Sequence, residues 1–186
     1  ATSIDGRALS LVHRDVSPQN ILVGVDGAAR LLDFGVAKCF NEVTSPGETT
    51  DSGCLKGKLG YIAPEQFLGE RVDARTDIFA AGTVLWEALT GRRLFNGADP
   101  VGTVLRLVEE GAPRPSLFNP SVTRSLDLVV CRALERVPER RFRSAEEFSF
   151  ELKNAVKPSE PIYVGGYVEQ TARGSVEQQR RLLRRI

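Results

Sequence analysis

The chain has 186 residues, a formal net charge of +1, 41% hydrophobic and 26% charged side chains. This is the balance of an ordinary globular domain with enough chain for a sizeable core, and it gives no global electrostatic reason to expect nucleic acid or an anionic membrane as a partner. Cys39, Cys54 and Cys131 are odd in number and widely spaced, which argues against a disulfide framework or a cysteine metal site and for the reduced thiols of a cytoplasmic protein.

No charged-then-apolar leader pattern opens the chain, and its longest apolar stretch, IFAAGTVLWEALTG, is interrupted by Glu87. It falls short of the roughly 20 apolar residues that cross a bilayer, so no membrane segment is expected. The sequence begins with Ala and contains no Met; a piece of something longer is the expectation.

In chain order, the first distinctive run is HRDVSPQN at 13–20, followed by DFG at 33–35. Between them, the apolar runs Ile21 to Val23 and Arg30 to Leu32 flank Asp26-Gly27, which predicts a small β-hairpin that sets the two runs side by side. Asp15, Asn20 and Asp33 then offer two carboxylates and an amide oxygen. Such hard oxygen ligands suit Mg²⁺ held jointly with phosphates, although Asp and Asn are also common turn residues.

From Lys38 to Lys58 the chain is rich in Thr, Ser, Gly, Glu and Pro without periodicity, and reads as a long exposed loop. Thr76 is a candidate cap for a helix from Asp77 to about Thr90, stopped by Gly91. Apolar residues cover nearly the whole circumference of that helix, predicting a buried axis for the domain. Further helices are expected at about 100 to 110, 123 to 136 and 144 to 156, the last opening on Ser144 and Glu147 in capping-box spacing. Pro158 and Pro161 break the pattern, and after a Gly-containing linker SVEQQRRLLRRI can form a short basic amphipathic helix.

HRDVSPQN, DFG, GKLGYIAPE at 57–65 and DIFAAG at 77–82 come in the order and rough spacing of the C-terminal lobe of eukaryotic-type protein kinases. The sequence resembles that family, most closely the bacterial serine/threonine kinases, over about residues 11 to 156. The resemblance implies a mainly α (α+β) fold: a kinase-like C-terminal lobe with a small β-hairpin, residues 1–157 forming a partial kinase domain and 158–186 a linker and basic amphipathic helix or tail. It implies ATP and Mg²⁺ as cofactors and a protein Ser/Thr hydroxyl as acceptor.

On the same resemblance, Asp15 is the catalytic base, Asn20 and Asp33 hold Mg²⁺ on the ATP phosphates, and Leu22, between Ile21 and Val23, belongs to the floor under the adenine. His13 braces the DFG segment, with Phe34 packed beside it. Asp77 reaches the catalytic-loop backbone, and Glu65 pairs with a late arginine, Arg141. Arg14 matches the arginine that in many members binds a phosphorylated activation loop, where Thr44, Ser45, Thr49, Thr50 and Ser52 are candidate sites.

The departures are specific. No glycine-rich loop and no VAIK-type lysine occur, so an N-terminal lobe is expected to be missing from this chain and the chain alone to be inactive. Gln19 stands where basic-directed kinases often carry an acidic residue. At position 17, where most serine/threonine kinases have a lysine that meets the transferred phosphate, there is Ser17; at position 58, where they have a threonine, there is Lys58. This exchange suggests that Lys58 supplies the missing cation beside Asp15 from the opposite wall. A non-catalytic, partner-binding kinase-like module is the alternative reading.

Overall fold

The computed structural model describes residues 3–4, 7–8, 12–33, 58–97 and 99–183, with backbone alone at 3–4, 7–8 and 174–183. The chain divides into two compact units, Ala1–Pro18 with Asp33–Val156, and Gln19–Leu32 with Lys157–Ile186.

Among the described residues, the first unit is mainly helical, with a two-residue antiparallel pair near its start, β1 (Ser3–Ile4) with β2 (Arg7–Ala8). Its helices are α1 (Pro64–Phe67), α2 (Ala74–Thr90), α3 (Pro100–Glu109), α4 (Arg124–Ala133) and α5 (Ala145–Ala155). α2 is the axis, as its apolar circumference predicts: Ile78, Phe79, Ala80, Gly82, Thr83 and Trp86 are all buried along it. Phe79 and Trp86 join Phe95, Leu107, Leu126, Val130 and Leu134 in one core cluster, and Ile78 packs with Val129, Ala133, Phe142 and Phe148 in a second. Gly82 is the close-approach point, because a Cβ there would stand 3.0 Å from the Ala133 methyl.

Caps set the ends of these helices. Gly91 ends α2 in the left-handed conformation (φ 67°), with its N–H donating to the Glu87 carbonyl. The start differs from the sequence expectation. α2 begins three residues earlier, at Ala74, because Asp73 is the cap and accepts from the Arg75 N–H at 2.9 Å. Thr76 lies inside the helix, where its hydroxyl donates to Glu65 Oε1 at 2.8 Å. Ser144 does cap α5, accepting from the Glu147 N–H at 3.2 Å. The Glu147 carboxylate reaches back past the cap to the Arg143 N–H at 2.7 Å.

The second unit pairs β3 (Ile21–Val23) with β4 (Ala29–Leu31), antiparallel, Ile21 opposite Leu31 and Val23 opposite Ala29. Gly27 turns the hairpin with φ 73°, a conformation that glycine adopts without a Cβ penalty. Asp26 accepts from the Ala28 N–H at 3.1 Å and pairs with Arg30, and these partners hold its carboxyl down at about 2. At the open end, the Leu32 N–H donates to the Asn20 carbonyl at 2.8 Å.

The same unit contains α6, one helix from Pro161 to Leu183. The Gly-containing stretch expected to be a linker is therefore helical. Pro161 sits in the first turn, where its missing N–H costs nothing, and Gly165, buried in mid-helix, lies against the Val25 carbonyl of the hairpin tip.

Candidate active site

The loop carrying Asp15 is shaped from beneath by Asp77, in the first turn of α2. One carboxylate oxygen accepts from the His13 N–H at 2.7 Å and the other from the Arg14 N–H at 2.8 Å. Arg14 has φ 64°, left-handed backbone that costs a non-glycine residue of order 1–3 kcal/mol unless its surroundings hold it. The two bonds to Asp77 supply that hold and account for a carboxylate on so apolar a helix. Burial pushes the Asp77 carboxyl above its ordinary range, against the opposing pull of the two backbone N–H groups.

His13, the one histidine of the chain, is buried, and its Nδ1 accepts from the Asp15 N–H at 3.3 Å. The imidazole thereby fixes the backbone at the carboxylate that the sequence singles out.

Lys58 enters from a separate segment. It begins a tight turn in which its carbonyl accepts from the Tyr61 N–H at 3.0 Å, and Leu59 and Tyr61 bury their side chains on either side of Gly60. Pinned this way, the Lys58 ammonium donates to Asp15 Oδ2 at 2.7 Å across 43 residues of chain. Both side chains are partly exposed, so the pair contributes little to stability, about 0–1 kcal/mol. Its consequence is local: a positive charge stands within hydrogen-bond reach of Asp15.

Ser17 is buried, and among the described residues its Oγ is the buried side-chain oxygen that has no hydrogen-bond partner. Asn20 is buried in the second unit, and Asp33 is exposed with φ 51°. Leu22 is 51% exposed on its strand. Phe34 and the Thr and Ser candidates between 44 and 52 lie outside the described residues.

Below this region, Glu65 in α1 and Arg141 form a buried bidentate pair, Nη1 to Oε1 and Nη2 to Oε2, each 2.8 Å. Arg141 spends its remaining donors on the Glu135, Arg75 and Arg136 carbonyls, and its guanidinium lies 4.8 Å from the Phe79 ring centroid. Sequence reasoning gave Glu65 its arginine but not its second donor, Thr76.

It also treated Glu87 only as an interruption. Glu87 accepts from the Tyr61 hydroxyl at 2.6 Å and from the Leu94 N–H at 3.1 Å, and Arg93 donates to the Tyr61 hydroxyl. Burial, and then Glu87, raise the Tyr61 pKa far above its usual value. The available signal was the carboxylate itself, a charge in an otherwise apolar helix.

The protein kinase domain model matches residues 8–149. The chain belongs to the protein kinase domain family. It is 36% identical over 143 residues to a probable serine/threonine-protein kinase of Streptomyces coelicolor, covering 77% of this chain and 21% of that one. It is 37% identical over 142 residues to the serine/threonine-protein kinase PknB of Mycobacterium tuberculosis, covering 76% of this chain and 22% of PknB. A probable serine/threonine-protein kinase of Clostridium acetobutylicum is 37% identical over 144 residues. This kinase-family chain thus spans about a fifth of the length of the curated relatives it matches. The family transfers phosphate from ATP with Mg²⁺ to protein substrates. Among the described residues, no helix is long and apolar enough to cross a membrane.

Proposed function

We propose that this chain is the catalytic, C-terminal lobe of a cytoplasmic serine/threonine protein kinase, active when joined to an N-terminal ATP-binding lobe. The observation that carries the reading is the 2.7 Å contact between Lys58 Nζ and Asp15 Oδ2. An aspartate on a loop fixed by Asp77 and His13 is held as a base needs to be, with a cation beside it.

In this reading Asp15 takes the proton of the acceptor hydroxyl and orients its oxygen for attack. Lys58 holds the carboxylate by one oxygen and supplies positive charge where the transferred phosphoryl group develops negative charge. Ser17, small and neutral at the position where related kinases carry lysine, avoids a second ammonium in the same space. Mg²⁺-ATP, when bound, supplies the phosphoryl group and neutralises its charge. Mg²⁺ favours a few carboxylate or amide oxygens combined with substrate phosphates, and the chain offers oxygens of that kind. By sequence position those protein ligands are Asn20 and Asp33, with Leu22 in the adenine floor.

The test is an exchange cycle in the chain joined to its ATP-binding lobe. Lys58→Thr lowers phosphoryl transfer strongly, about 10²-fold, the usual worth of one lost transition-state charge partner. Ser17→Lys alone crowds two cations together, and Ser17→Lys with Lys58→Thr recovers much of the activity. Effects that add to within about 0.5 kcal/mol mean the two positions do not share a site, and the proposal fails.

A further inference from the structure

In the second unit the hairpin tip and the start of α6 meet backbone to backbone. A Cβ on Gly165 would stand 2.0 Å from the Val25 carbonyl oxygen, and a Cβ on Gly27 would stand 2.1 Å from the Pro161 carbonyl oxygen. Each glycine is therefore required by the opposite element. Gly27 also serves the turn through its positive φ, but Gly165 serves no turn. It is a glycine in the interior of a helix, where it is the poorest former after proline, and the approach of Val25 is the reason the structure gives for it. Its neighbour Gly166 has nothing within 4 Å of a Cβ position.

The choice of face points the same way. Gly165 is buried, while Tyr163 and Tyr167 on the opposite side of the helix are exposed. Val164 and Val168 are half-buried on the same side as Gly165, and the missing side chain at Gly165 is what brings the two backbones into direct contact.

We infer that α6 is an intramolecular brace for the hairpin: a segment from the far end of the chain that docks on the Val25–Gly27 tip and holds the strand Ile21–Val23 in place. This deepens the kinase reading, on which the same strand carries the adenine floor at Leu22. A two-stranded hairpin is marginal by itself in water, and Leu22, Val25 and Leu31 are all exposed, so burial of these side chains does not fix it. Docking or release of α6 then sets how firmly the floor of the nucleotide site is held.

The experiment compares Gly165→Leu with Gly166→Leu in the whole chain. The two substitutions change helix propensity alike, and only the first meets the hairpin. Amide hydrogen exchange at Gly24, Gly27 and Leu32, whose N–H groups donate to Ala28, Gly24 and Asn20 carbonyls, reports the hairpin; the amides of α2 report the rest of the fold. Gly165→Leu is expected to speed hairpin exchange about tenfold or more while α2 is unchanged, and Gly166→Leu to leave both as they were. Gly165→Ala, a milder insertion, is expected to give an intermediate effect.

Equal hairpin exchange in the two leucine variants would overturn the brace. In the chain joined to its ATP-binding lobe, Gly165→Leu should weaken binding of a non-hydrolysable ATP analogue several-fold, and Gly166→Leu should not. Faster hairpin exchange with unchanged nucleotide affinity would overturn the link to the nucleotide floor. Failure of the unsubstituted, lobe-joined protein to bind the analogue would count against the kinase reading instead, and the exchange data would still decide the brace.

Discussion

Replacing Arg141 by Met removes one half of the buried pair with Glu65 and gives the most sharply calculable effect. The Glu65 and Arg141 side chains are 2% and 0% exposed, so the carboxylate left behind cannot turn to water. It keeps the Thr76 hydroxyl as a donor but loses both guanidinium bonds, and the Glu135, Arg75 and Arg136 carbonyls each lose theirs. Breaking such a pair by removing one partner costs about 3–5 kcal/mol. For a chain of this size about 2–4 °C accompanies each kcal/mol, so the midpoint of thermal unfolding should fall by about 6–20 °C. Trp86, the single tryptophan and 2% exposed in the core, makes its fluorescence in a urea titration a direct assay. Glu65→Met with Arg141→Met should cost less than the two single changes added together, by about 1–3 kcal/mol, because the doubly substituted protein buries no lone charge. A loss below about 1 kcal/mol for Arg141→Met, or strict additivity, would show that the pair does not carry the energy its burial implies.

Asp77 gives a pH signature. Burial raises its carboxyl above the ordinary 3.8 in the folded chain, so the folded state binds this proton more readily than the unfolded state. Its stabilising contribution is therefore present at acid pH and is lost as pH rises through the folded value. The stability of the unsubstituted chain relative to Asp77→Asn should improve on lowering the pH from about 7 toward 4, measured by urea unfolding at each pH; a constant difference would contradict the assignment. Leu22, Val25, Leu31 and Leu32 are exposed, so the isolated chain should bind a hydrophobic dye and associate with rising concentration, and a dye-silent monomer at all concentrations would count against it. In the lobe-joined protein, Asp33→Ala should abolish productive Mg²⁺-ATP binding, measured by titration, because it removes a ligand rather than a proton acceptor; retained affinity would refute the ligand role.

What the sequence made legible was what local chemistry decides. The Asp26-Gly27 turn, the Gly91 stop of α2, the Ser144 cap of α5 and the all-round apolar surface of α2 each follow from residues within a turn or two of one another. What it hid was decided by tertiary partners. Asp73 and Thr76 are both competent caps three residues apart, and the choice falls to Asp73 because Thr76 is drawn to Glu65. Gly165 and Gly166 argue locally for a linker, yet the hairpin tip needs Gly165 within a helix. In the site, the exchange of hydroxyl and ammonium at 17 and 58, and with it the expectation of Lys58 beside Asp15, was legible only through the family resemblance, since the contact spans 43 residues and no local pattern carries it.

Asp15→Asn tests the central claim most directly. The carboxamide keeps the size of the side chain and leaves its backbone bond to His13 intact, so the fold should be unchanged while the proton acceptor is gone. In the chain joined to its ATP-binding lobe, phosphoryl transfer to a protein serine or threonine should fall by about 10²–10⁴ with affinity for Mg²⁺-ATP retained, the usual worth of a positioned base. Transfer at the unsubstituted rate would contradict the claim that this loop performs the chemistry.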